Sequence, residues 1–423
     1  MIHIIIGTKA QLIKMSPLIR QLKQQGIRFN LIDLGQHSLI TKALREEFDL
    51  DEPGFYFSKG SNITTMTQAL AWLIKIFFKS LSSSRIKKEV FLNQEGICLI
   101  HGDTISTVIG LYLAKRAKLR VAHIEAGLRS HCWHEPFPEE ILRIITMRFS
   151  DILFVPSQWA YHNLTMMGMQ KKAILVCGNT GREAVLFSLS KNTGLNPDFA
   201  LGFEENSLNL CPDKACEQKN RRRIQGNTLR TLLRAKRSMG KDLEVFYQNP
   251  NANSGLNLAL ADFALLTCHR IENIFSKKRL RFIIEIIKTI SYHRPLVFIL
   301  HHPTVHQLKK FSLWTELKEI RNVHFFKILS HRHFIQLLIQ CSMAITDGGS
   351  IQEEAFYLGK PCLLLRRHTE RNEGIGENAV LSRFNKETIA YFLHHHQEFK
   401  RNERVSEKIS PSSEIIAYLK RHA

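Results

Sequence analysis

The chain has 423 residues, 44% of them hydrophobic and 23% charged, which is the composition of a folded globular protein and excludes a fibrous or wholly disordered one. The chain is longer than a domain with a single hydrophobic core usually is, which predicts two domains of roughly 150–200 residues each. The formal charge of +21 would suit nucleic acid, but neither stacking aromatics nor zinc-finger spacing accompanies its densest basic run, 221–223, so no nucleic-acid partner is expected.

Several other classes of protein are disfavoured by the same sequence. No run of 18 or more residues lacks a charge, so no membrane span is expected. The apolar and basic stretch 69–88 is interpreted as an amphipathic helix packed on a sheet, with a membrane-surface helix as the alternative. Eight cysteines without a signal peptide predict a reducing, cytoplasmic setting. No metal-ligand spacing is present, and no metal or cofactor is expected.

Short runs rich in Ile, Leu and Val alternate with longer amphipathic segments, first over 3–179 and again over 263–367. Such runs fit strands buried on both faces, and the segments between them are long enough for crossover helices. The sequence therefore predicts an α/β protein with two Rossmann-like domains. The predicted division is 1–186 for the first domain, 187–250 for a polar insertion or linker, 251–385 for the second domain and 386–423 for a helical end.

Ligands of parallel α/β sheets bind at the carboxyl ends of the strands, and the polar residues of interest follow predicted strands. In the first domain, Lys9 and Lys14 follow strand one, where they fit a phosphate-facing loop. Three carboxylates come after later strands or open the next helix, and Arg129 lies near the second of them. These carboxylates are Asp103, Glu125 and Glu139.

The second domain repeats this arrangement. His269 and Arg270 follow its first strand, and the run TDGGSIQEEA (346–355) reads as a strand end, a turn and a helix start. Gly348 and Gly349 let backbone amides approach a ligand closely, and Ser350 is expected to cap the helix or to donate to a phosphate. One of two glutamates, 353 or 354, expected in the first helical turn, is a candidate for binding ribose hydroxyls, with a plain turn as the alternative.

The acids at these strand ends suggest proton-transfer chemistry. Three carboxylates and a histidine that converge on one cleft can act as acids and bases, because crowding separates their pKa values. Each residue alone is more often a helix cap or an ion-pair partner. The residues by themselves leave both interpretations open.

Ten motifs together resemble the UDP-N-acetylglucosamine 2-epimerase family in order and spacing, over nearly the whole chain except 187–250. They are GTKAQLIKMSP (7–17), GQH (35–37), GDT (102–104), HIEAGLRS (123–130), PEE (138–140), GNT (178–180), HRIEN (269–273), TDGGSIQEEA (346–355), LGKP (358–361) and TER (369–371). The resemblance implies the GT-B fold, in which two Rossmann-like domains with parallel sheets face each other across a cleft that binds the nucleotide sugar.

The resemblance further implies interconversion of UDP-GlcNAc and UDP-ManNAc, in which anti elimination of UDP gives 2-acetamidoglucal and UDP is re-added after protonation at C2. This activity would supply ManNAc for surface polysaccharide. By motif position, Asp103, Glu125 and Glu139 would be the acid/base carboxylates, and His269 would lie near the pyrophosphate. The positions expected to hold the nucleotide are Lys14, Glu354 and Arg371, with Phe334 near uracil; Lys9, Arg129, Arg270, Gly348, Gly349 and Ser350 complete the substrate-binding candidates.

Two loops depart from the family pattern. Gly-Thr-Lys-Ala-Gln replaces the usual Gly-Thr-Arg-Pro-Glu, and Asp-Gly-Gly-Ser replaces Asp-Ser-Gly-Gly. Three alternatives therefore stay open: a hydrolysing epimerase that releases ManNAc and UDP, a GT-B glycosyltransferase, and a non-catalytic sugar-nucleotide-binding protein. Members of the family often form homodimers, and a homodimer is the protein partner that the resemblance suggests.

Overall fold

A computed structural model describes residues 1–36, 38–58, 66–133, 135–190, 262–402 and 410–422. Most of the predicted insertion, including the basic run at 221–223, lies outside the described residues, as does His37 of the GQH motif. The strands form two separate sheets in which every pairing is parallel. The predicted α/β class with two Rossmann-like sheets is confirmed.

The first sheet has seven strands in the order β3-β2-β1-β4-β5-β6-β7. They are β1 (Ile2–Ile6), β2 (Phe29–Asp33), β3 (Phe55–Tyr56), β4 (Ile97–His101), β5 (Arg120–Ile124), β6 (Ile152–Val155) and β7 (Ala173–Leu175). The helices of this part are α1 (Lys9–Gln24), α2 (Ser38–Glu47), α3 (Met66–Lys79), α4 (Ser83–Arg85), α5 (Ile105–Arg116), α6 (Glu139–Phe149), α7 (Gln158–Met166) and α8 (Gly181–Ser190), with a π-helical turn at Ile86–Val90 and a 3-10 turn at Gln170–Lys172.

The second sheet has six strands in the order β10-β9-β8-β11-β12-β13. They are β8 (Ala264–Thr267), β9 (Leu296–Ile299), β10 (Val323–Phe326), β11 (Met343–Thr346), β12 (Cys362–Leu364) and β13 (Ala379–Leu381). The helices are α9 (Ile271–Ile274), α10 (Lys277–His293), α11 (His302–Lys310), α12 (Trp314–Glu319), α13 (His331–Gln340), α14 (Gly349–Tyr357), α15 (Lys386–His395) and α16 (Pro411–His422), with a 3-10 turn at His396–Phe399.

The strand order of each sheet reverses once, and this reversal creates a binding crevice. The first sheet reverses between β1 and β4, and the second between β8 and β11. The chain connections after the two strands at the reversal run in opposite directions. The loops that follow these strands therefore separate and leave a space at the carboxyl edge of the sheet. The central strands are buried on both faces, as their unbroken apolar sequences predict.

The two sheets face each other across a cleft, as the GT-B expectation requires. Side chains that follow strands of one sheet bond to side chains of the other, for example Lys14 with Glu353 and Arg270 with Glu139. The carboxyl edges of the two sheets therefore share a single polar space.

The end of the chain divides between the two sheets. Helix α15 packs on the second sheet through Ile389 and Phe392, whereas α16 buries Ile415 and Leu419 in the core of the first. Glu183 of α8 accepts hydrogen bonds from the backbone of Ser412 at 3.1 Å and from the hydroxyl of Ser410 at 2.6 Å, which holds the start of α16. The predicted helical end is thus two helices with different neighbours.

The predicted boundary at 186 falls inside helix α8, which continues to Ser190. The remaining predicted boundaries adjoin residues outside the described ranges or lie in loops, and they stay predictions. Helix α3 packs on the first sheet through Trp72 and Ile76, as the preferred interpretation of 69–88 proposed. None of the described helices is long and apolar enough to cross a membrane.

Replacing Leu419 by Ala tests whether α16 belongs to the first core. The leucine side chain is fully buried, so its loss leaves a cavity, and we expect the free energy of unfolding to fall by about 2–5 kcal/mol in urea denaturation. Lys420→Ala, one residue further along the same helix, is the matched control, because Lys420 is exposed; its effect should stay within about 0.5 kcal/mol. Equal effects of the two substitutions would contradict the packing.

Candidate functional site

Glu125 lies at the centre of the cleft. It follows β5 and has a φ of 69°, a backbone conformation that few residues other than glycine adopt. This conformation changes the direction of its side chain relative to the strand. One carboxylate oxygen, Oε1, accepts hydrogen bonds from Lys14 at 2.5 Å, from Asn179 at 2.5 Å and from Arg371 at 2.6 Å. Two of these donors belong to the first sheet and one to the second.

Glu353 of helix α14 supplies the opposite carboxylate. Its Oε2 accepts from Lys14 at 2.7 Å and from Arg371 at 2.8 Å, and its Oε1 accepts from the hydroxyl of Tyr357 at 2.7 Å. We call Lys14, Glu125, Glu353 and Arg371 the central charge cluster. Two cations alternate with two carboxylates, all four side chains are buried, and each cation bridges both sheets.

The pKa values in the central charge cluster follow from this pairing. Burial alone would raise the pKa of Glu125, but Arg371 and Lys14 hold it well below its usual value. Burial and Arg371 act to lower the pKa of Lys14, yet Glu125 and Glu353 raise it above the ordinary lysine value. At neutral pH Glu125 is a carboxylate and Lys14 an ammonium ion, so the cluster carries balanced charges.

His101, the last residue of β4, lies beside this cluster. Its Nε2 is 3.5 Å from Oε2 of Glu125 without forming a hydrogen bond. Burial lowers the pKa of His101 to about 4 despite the neighbouring carboxylate, so the imidazole is neutral at physiological pH. His101 is not among the site residues predicted from the sequence, although it directly precedes the GDT motif.

Asp103, Glu139 and Glu140 form a second group at the mouth of the same cleft. Arg143 of α6 bonds to Asp103 and also to Oε2 of Glu140 at 2.7 Å. Glu140 is fully buried and has a structural role, because it also accepts from Arg129 and from the backbone of Ser130. Arg129 is therefore occupied by Glu140.

Glu139 differs from Glu140 because it is a quarter exposed and pairs across the cleft with Arg270 at 2.5 Å. Its second oxygen, Oε2, is buried and has no hydrogen-bond partner among the described residues. Asp103 is exposed to a similar degree. Of the acids in this group, these two retain access to the cleft.

His269 is fixed by the loop that follows β11. The carboxylate of Asp347 accepts from the backbone amides of His269 and Arg270 at 3.0 and 2.9 Å. The His269 ring stacks on His301 with centroids 4.4 Å apart. Burial lowers the pKa of His269 although Asp347 opposes this, so the ring is predominantly neutral at neutral pH and can donate or accept one hydrogen bond.

The Gly-Gly turn meets this histidine. A Cβ atom at Gly348 would lie 3.2 Å from Cε1 of His269, and one at Gly349 would lie 2.8 Å from a carboxylate oxygen of Glu370. A side chain at either glycine would therefore force these neighbours to move. The Gly348 amide donates to the Thr346 hydroxyl at 2.9 Å, and the amides that follow it at the start of α14 favour an anion there. Gly348 is the N-cap residue and Ser350 lies inside the helix, so the expectation that Ser350 caps it is wrong.

The other nucleotide-side candidates lie around this helix. Glu353 and Glu354 were expected in the first turn of α14, but they lie after that turn. Glu354 is partly exposed and bonds to His331 at 3.1 Å, so it retains access that the buried Glu353 lacks. The ammonium group of Lys9 donates to the carbonyl of Leu329 at 3.3 Å, and burial lowers its pKa. Phe334 is half-buried against the core of the second sheet.

Several site residues were missed by sequence reasoning, namely Arg143, Asn179, Asp347, Glu370 and Glu373. Asn179, Asp347 and Glu370 lie inside quoted motifs, but no role was assigned to them. Arg143 and Glu373 lie outside the motifs. Glu370 pairs with Arg366 at 2.6 Å behind the Gly-Gly turn. Across the described ranges, no three His, Cys, Asp or Glu side chains are grouped so that they could hold a metal ion.

Comparison with known proteins identifies relatives along almost the entire chain. A family model described as UDP-N-acetylglucosamine 2-epimerase matches residues 20–211 and 215–414, which includes most of the predicted insertion. The UDP-N-acetylglucosamine 2-epimerase of Methanocaldococcus jannaschii is 29% identical over 395 residues, covering 92% of this chain and 90% of that protein.

A solved structure of the same enzyme and one further relative are also similar to this chain. The crystal structure of the M. jannaschii enzyme in complex with UDP-GlcNAc and UDP is similar with a TM-score of 0.71, 28% identity and 99% coverage of both chains. The UDP-2,3-diacetamido-2,3-dideoxy-D-glucuronate 2-epimerase of Pseudomonas aeruginosa is 27% identical over 374 residues, covering 86% of this chain and 83% of that protein. Relatives at similar identity therefore differ in the sugar that they carry.

Replacing Lys14 by Met tests the central charge cluster. The change leaves two buried carboxylates facing a single cation, and we expect urea denaturation to show a loss of about 3–5 kcal/mol at pH 7.5. The depressed pKa of Glu125 contributes its full stability above the unfolded pKa, and this stability is lost as pH falls towards the folded pKa, so the deficit should shrink below about pH 5.

The matched control is Lys23→Met, which removes a lysine whose partner Asp51 is, like itself, more than half exposed. Exposed pairs contribute below about 1 kcal/mol, so this variant should remain close to wild type at every pH. A Lys14→Met protein as stable as the control would show that the buried pairs do not hold the two sheets together.

Proposed function

Because the chain belongs to the UDP-N-acetylglucosamine 2-epimerase family, we propose that it interconverts UDP-GlcNAc and UDP-ManNAc by eliminating and re-adding UDP. The proposal is carried by one observation: Asp103, Glu125, Glu139 and His269 lie around one cleft between the two sheets. Further support comes from the M. jannaschii relative, whose crystal contains UDP-GlcNAc and UDP. The pathway that fits is cytoplasmic supply of ManNAc for surface polysaccharide.

Elimination needs a base at C2 of the sugar and stabilisation of the departing diphosphate. We assign the diphosphate to the start of α14, where the Gly349 amide, neutral His269 and Arg371 offer donors and positive potential. The C1–O bond breaks as the C2 proton is removed, which leaves 2-acetamidoglucal and UDP. UDP then returns to C1 while a proton is delivered to the opposite face of C2.

Inversion at C2 requires two proton-transfer groups on opposite sides of the sugar. Asp103 and Glu139 suit this task because both are partly exposed in the cleft and are held by arginines on different elements, Arg143 and Arg270. Glu125 has its pKa held low by two cations, so we assign it to orienting Lys14 and Arg371 and to stabilising charge, and not to carrying a proton at neutral pH.

The proposed substrate and the proposed reaction each have alternatives that can be distinguished by experiment. The P. aeruginosa relative makes a diacetamido uronate sugar a second candidate substrate class. A hydrolysing epimerase would release free ManNAc, and a glycosyltransferase would exchange no proton at C2. A non-catalytic binding protein would show UDP binding without turnover.

The deciding experiment is incubation with UDP-GlcNAc in deuterated water, followed by proton NMR. We expect UDP-ManNAc to appear and deuterium to enter C2 of both sugars, because the proton removed exchanges with solvent before it is returned. Free ManNAc would instead support the hydrolysing alternative. Retention of hydrogen at C2 would exclude the proposed mechanism, and the diacetamido sugar should be assayed in parallel.

Two substitutions test the site assignment. Glu139→Gln removes a proton-transfer group and His269→Ala removes the donor beside the leaving group, so each should lower kcat by roughly 100-fold or more with an unchanged circular dichroism spectrum. Glu319→Gln, at an exposed position of α12, is the control and should retain wild-type kcat. Near-normal rates for either site variant would refute its assigned role.

We also infer that two copies associate through helix α3. The side of α3 opposite Trp72 exposes Leu70, Ile74, Phe77 and Phe78, of which Phe78 is 65% exposed. Arg116 at the end of α5 donates to the carbonyl of Leu81 at 2.7 Å, so the end of α5 lies beside the segment that follows α3. An apolar face of this kind is typical of an interface with another protein surface, and the family resemblance favours a second copy.

Phe78→Glu should convert a dimer into a monomer, because a charge placed in the centre of an apolar interface cannot be paired there. Light scattering during size-exclusion chromatography measures the mass directly. Tyr292→Glu introduces the same charge at an aromatic position that is 84% exposed on α10, and it should leave the mass unchanged. A monomeric wild type would contradict the inference.

A further inference from the structure

Glu373, two residues after Arg371, has a carboxyl group that the proposed reaction does not use. Its Oε2 atom is buried and has no hydrogen-bond partner among the described residues. The backbone around it is held firmly, since the side chain of Gln352 donates to the carbonyls of Arg371 and Glu373 at 3.2 and 2.9 Å. A carboxyl group with one buried oxygen that lacks a partner among the described residues, on a backbone held in place, calls for a physical explanation.

The charged groups around Glu373 are those of the central charge cluster. Lys14 on α1, Glu353 on α14 and Arg371 on its own loop are the charges that act on it, and the hydroxyl of Tyr357 is bonded to Glu353. Both cations are already bonded to Glu125 and Glu353, which leaves the cluster balanced without Glu373. Glu373 is therefore a surplus carboxyl group.

Protonation removes this surplus charge. Burial and the nearby Glu353 raise the pKa of Glu373 to about 7, and Arg371 and Lys14 only partly oppose this. Near neutral pH the group is thus present both with and without its proton. A small change in local charge suffices to move it from one state to the other.

We propose that Glu373 is a charge-balancing residue that takes up a proton when an anionic nucleotide binds at Arg371 and releases it when the nucleotide leaves. The inference rests on the proposed function, because it requires a diphosphate beside Arg371. A diphosphate brings negative charge to a cluster that is already neutral. Protonation of Glu373 offsets part of that charge without breaking the pairs that join the two sheets.

The proposal predicts a proton linkage that calorimetry can measure. Binding of UDP is titrated at pH 7.5 in two buffers with different ionisation enthalpies, and the difference in observed heat gives the number of protons taken up. A rise of about one pKa unit at Glu373 corresponds to uptake of roughly half a proton. Glu373→Gln mimics the neutral form, so it should bind UDP without the proton uptake that Glu373 contributes.

UDP itself also exchanges protons on binding. This contribution is the same in every titration, so it cancels when the proton uptake of the variants is compared. Glu285→Gln is the matched control, since Glu285 is exposed on α10, and it should show the wild-type proton uptake. In activity assays, KM of the wild type should rise with pH above 7, because an ionised Glu373 repels the diphosphate. This rise should be weaker in Glu373→Gln.

Three outcomes are distinguishable. Binding of UDP with equal proton uptake in wild type and Glu373→Gln would overturn this inference and leave the proposed function intact. Failure of UDP to bind the wild type would overturn the proposed function and this inference together. If Glu373→Gln does not fold, Glu373→Met, which is neutral and of similar length, replaces it, and persistent uptake in that variant overturns the proposal.

Discussion

The pairing of Lys14 and Arg371 with Glu125 and Glu353 is the interaction on which the arrangement of the two sheets depends. Each of these charges is costly to bury alone, and each is satisfied only when groups from both sheets are present. These charges join the two sheets beside an apolar contact, in which Val185 of α8 packs in a core of the second sheet. The same groups then lie beside the nucleotide, so the interaction that joins the sheets also prepares the site.

The fold supplies the geometry that these charges need. Parallel sheets end their strands at one edge, and the reversal of strand order leaves room there for side chains to converge. The close backbone approach at the Gly-Gly turn and the stacking of His269 on His301 fix the second sheet's contribution. Acids with different roles are distinguished by their neighbours: Glu140 is enclosed by two arginines, whereas one oxygen of Glu139 has no partner in the part of the chain that the structure describes.

Much of this could be predicted from the sequence, since apolar runs identified most of the strands and motif order identified Asp103, Glu125, Glu139 and His269. Local patterns predicted the exact start of a helix less reliably. Ser350 was expected to cap α14, but the turn ends earlier and Ser350 lies inside the helix. Arg143 and Glu373 were missed for another reason. Their importance arises from contacts between distant segments, and neither charge balance nor burial is visible in a single stretch of sequence.

The path of the last helix has a consequence for biosynthesis. Leu419 lies in the core of the first sheet together with Ile2, so that core is assembled from residues made before and after the whole second sheet. A domain that folds during translation usually does so when its own segment has left the ribosome. Here the first domain has to wait, with an uncovered apolar surface, until the second has been synthesised.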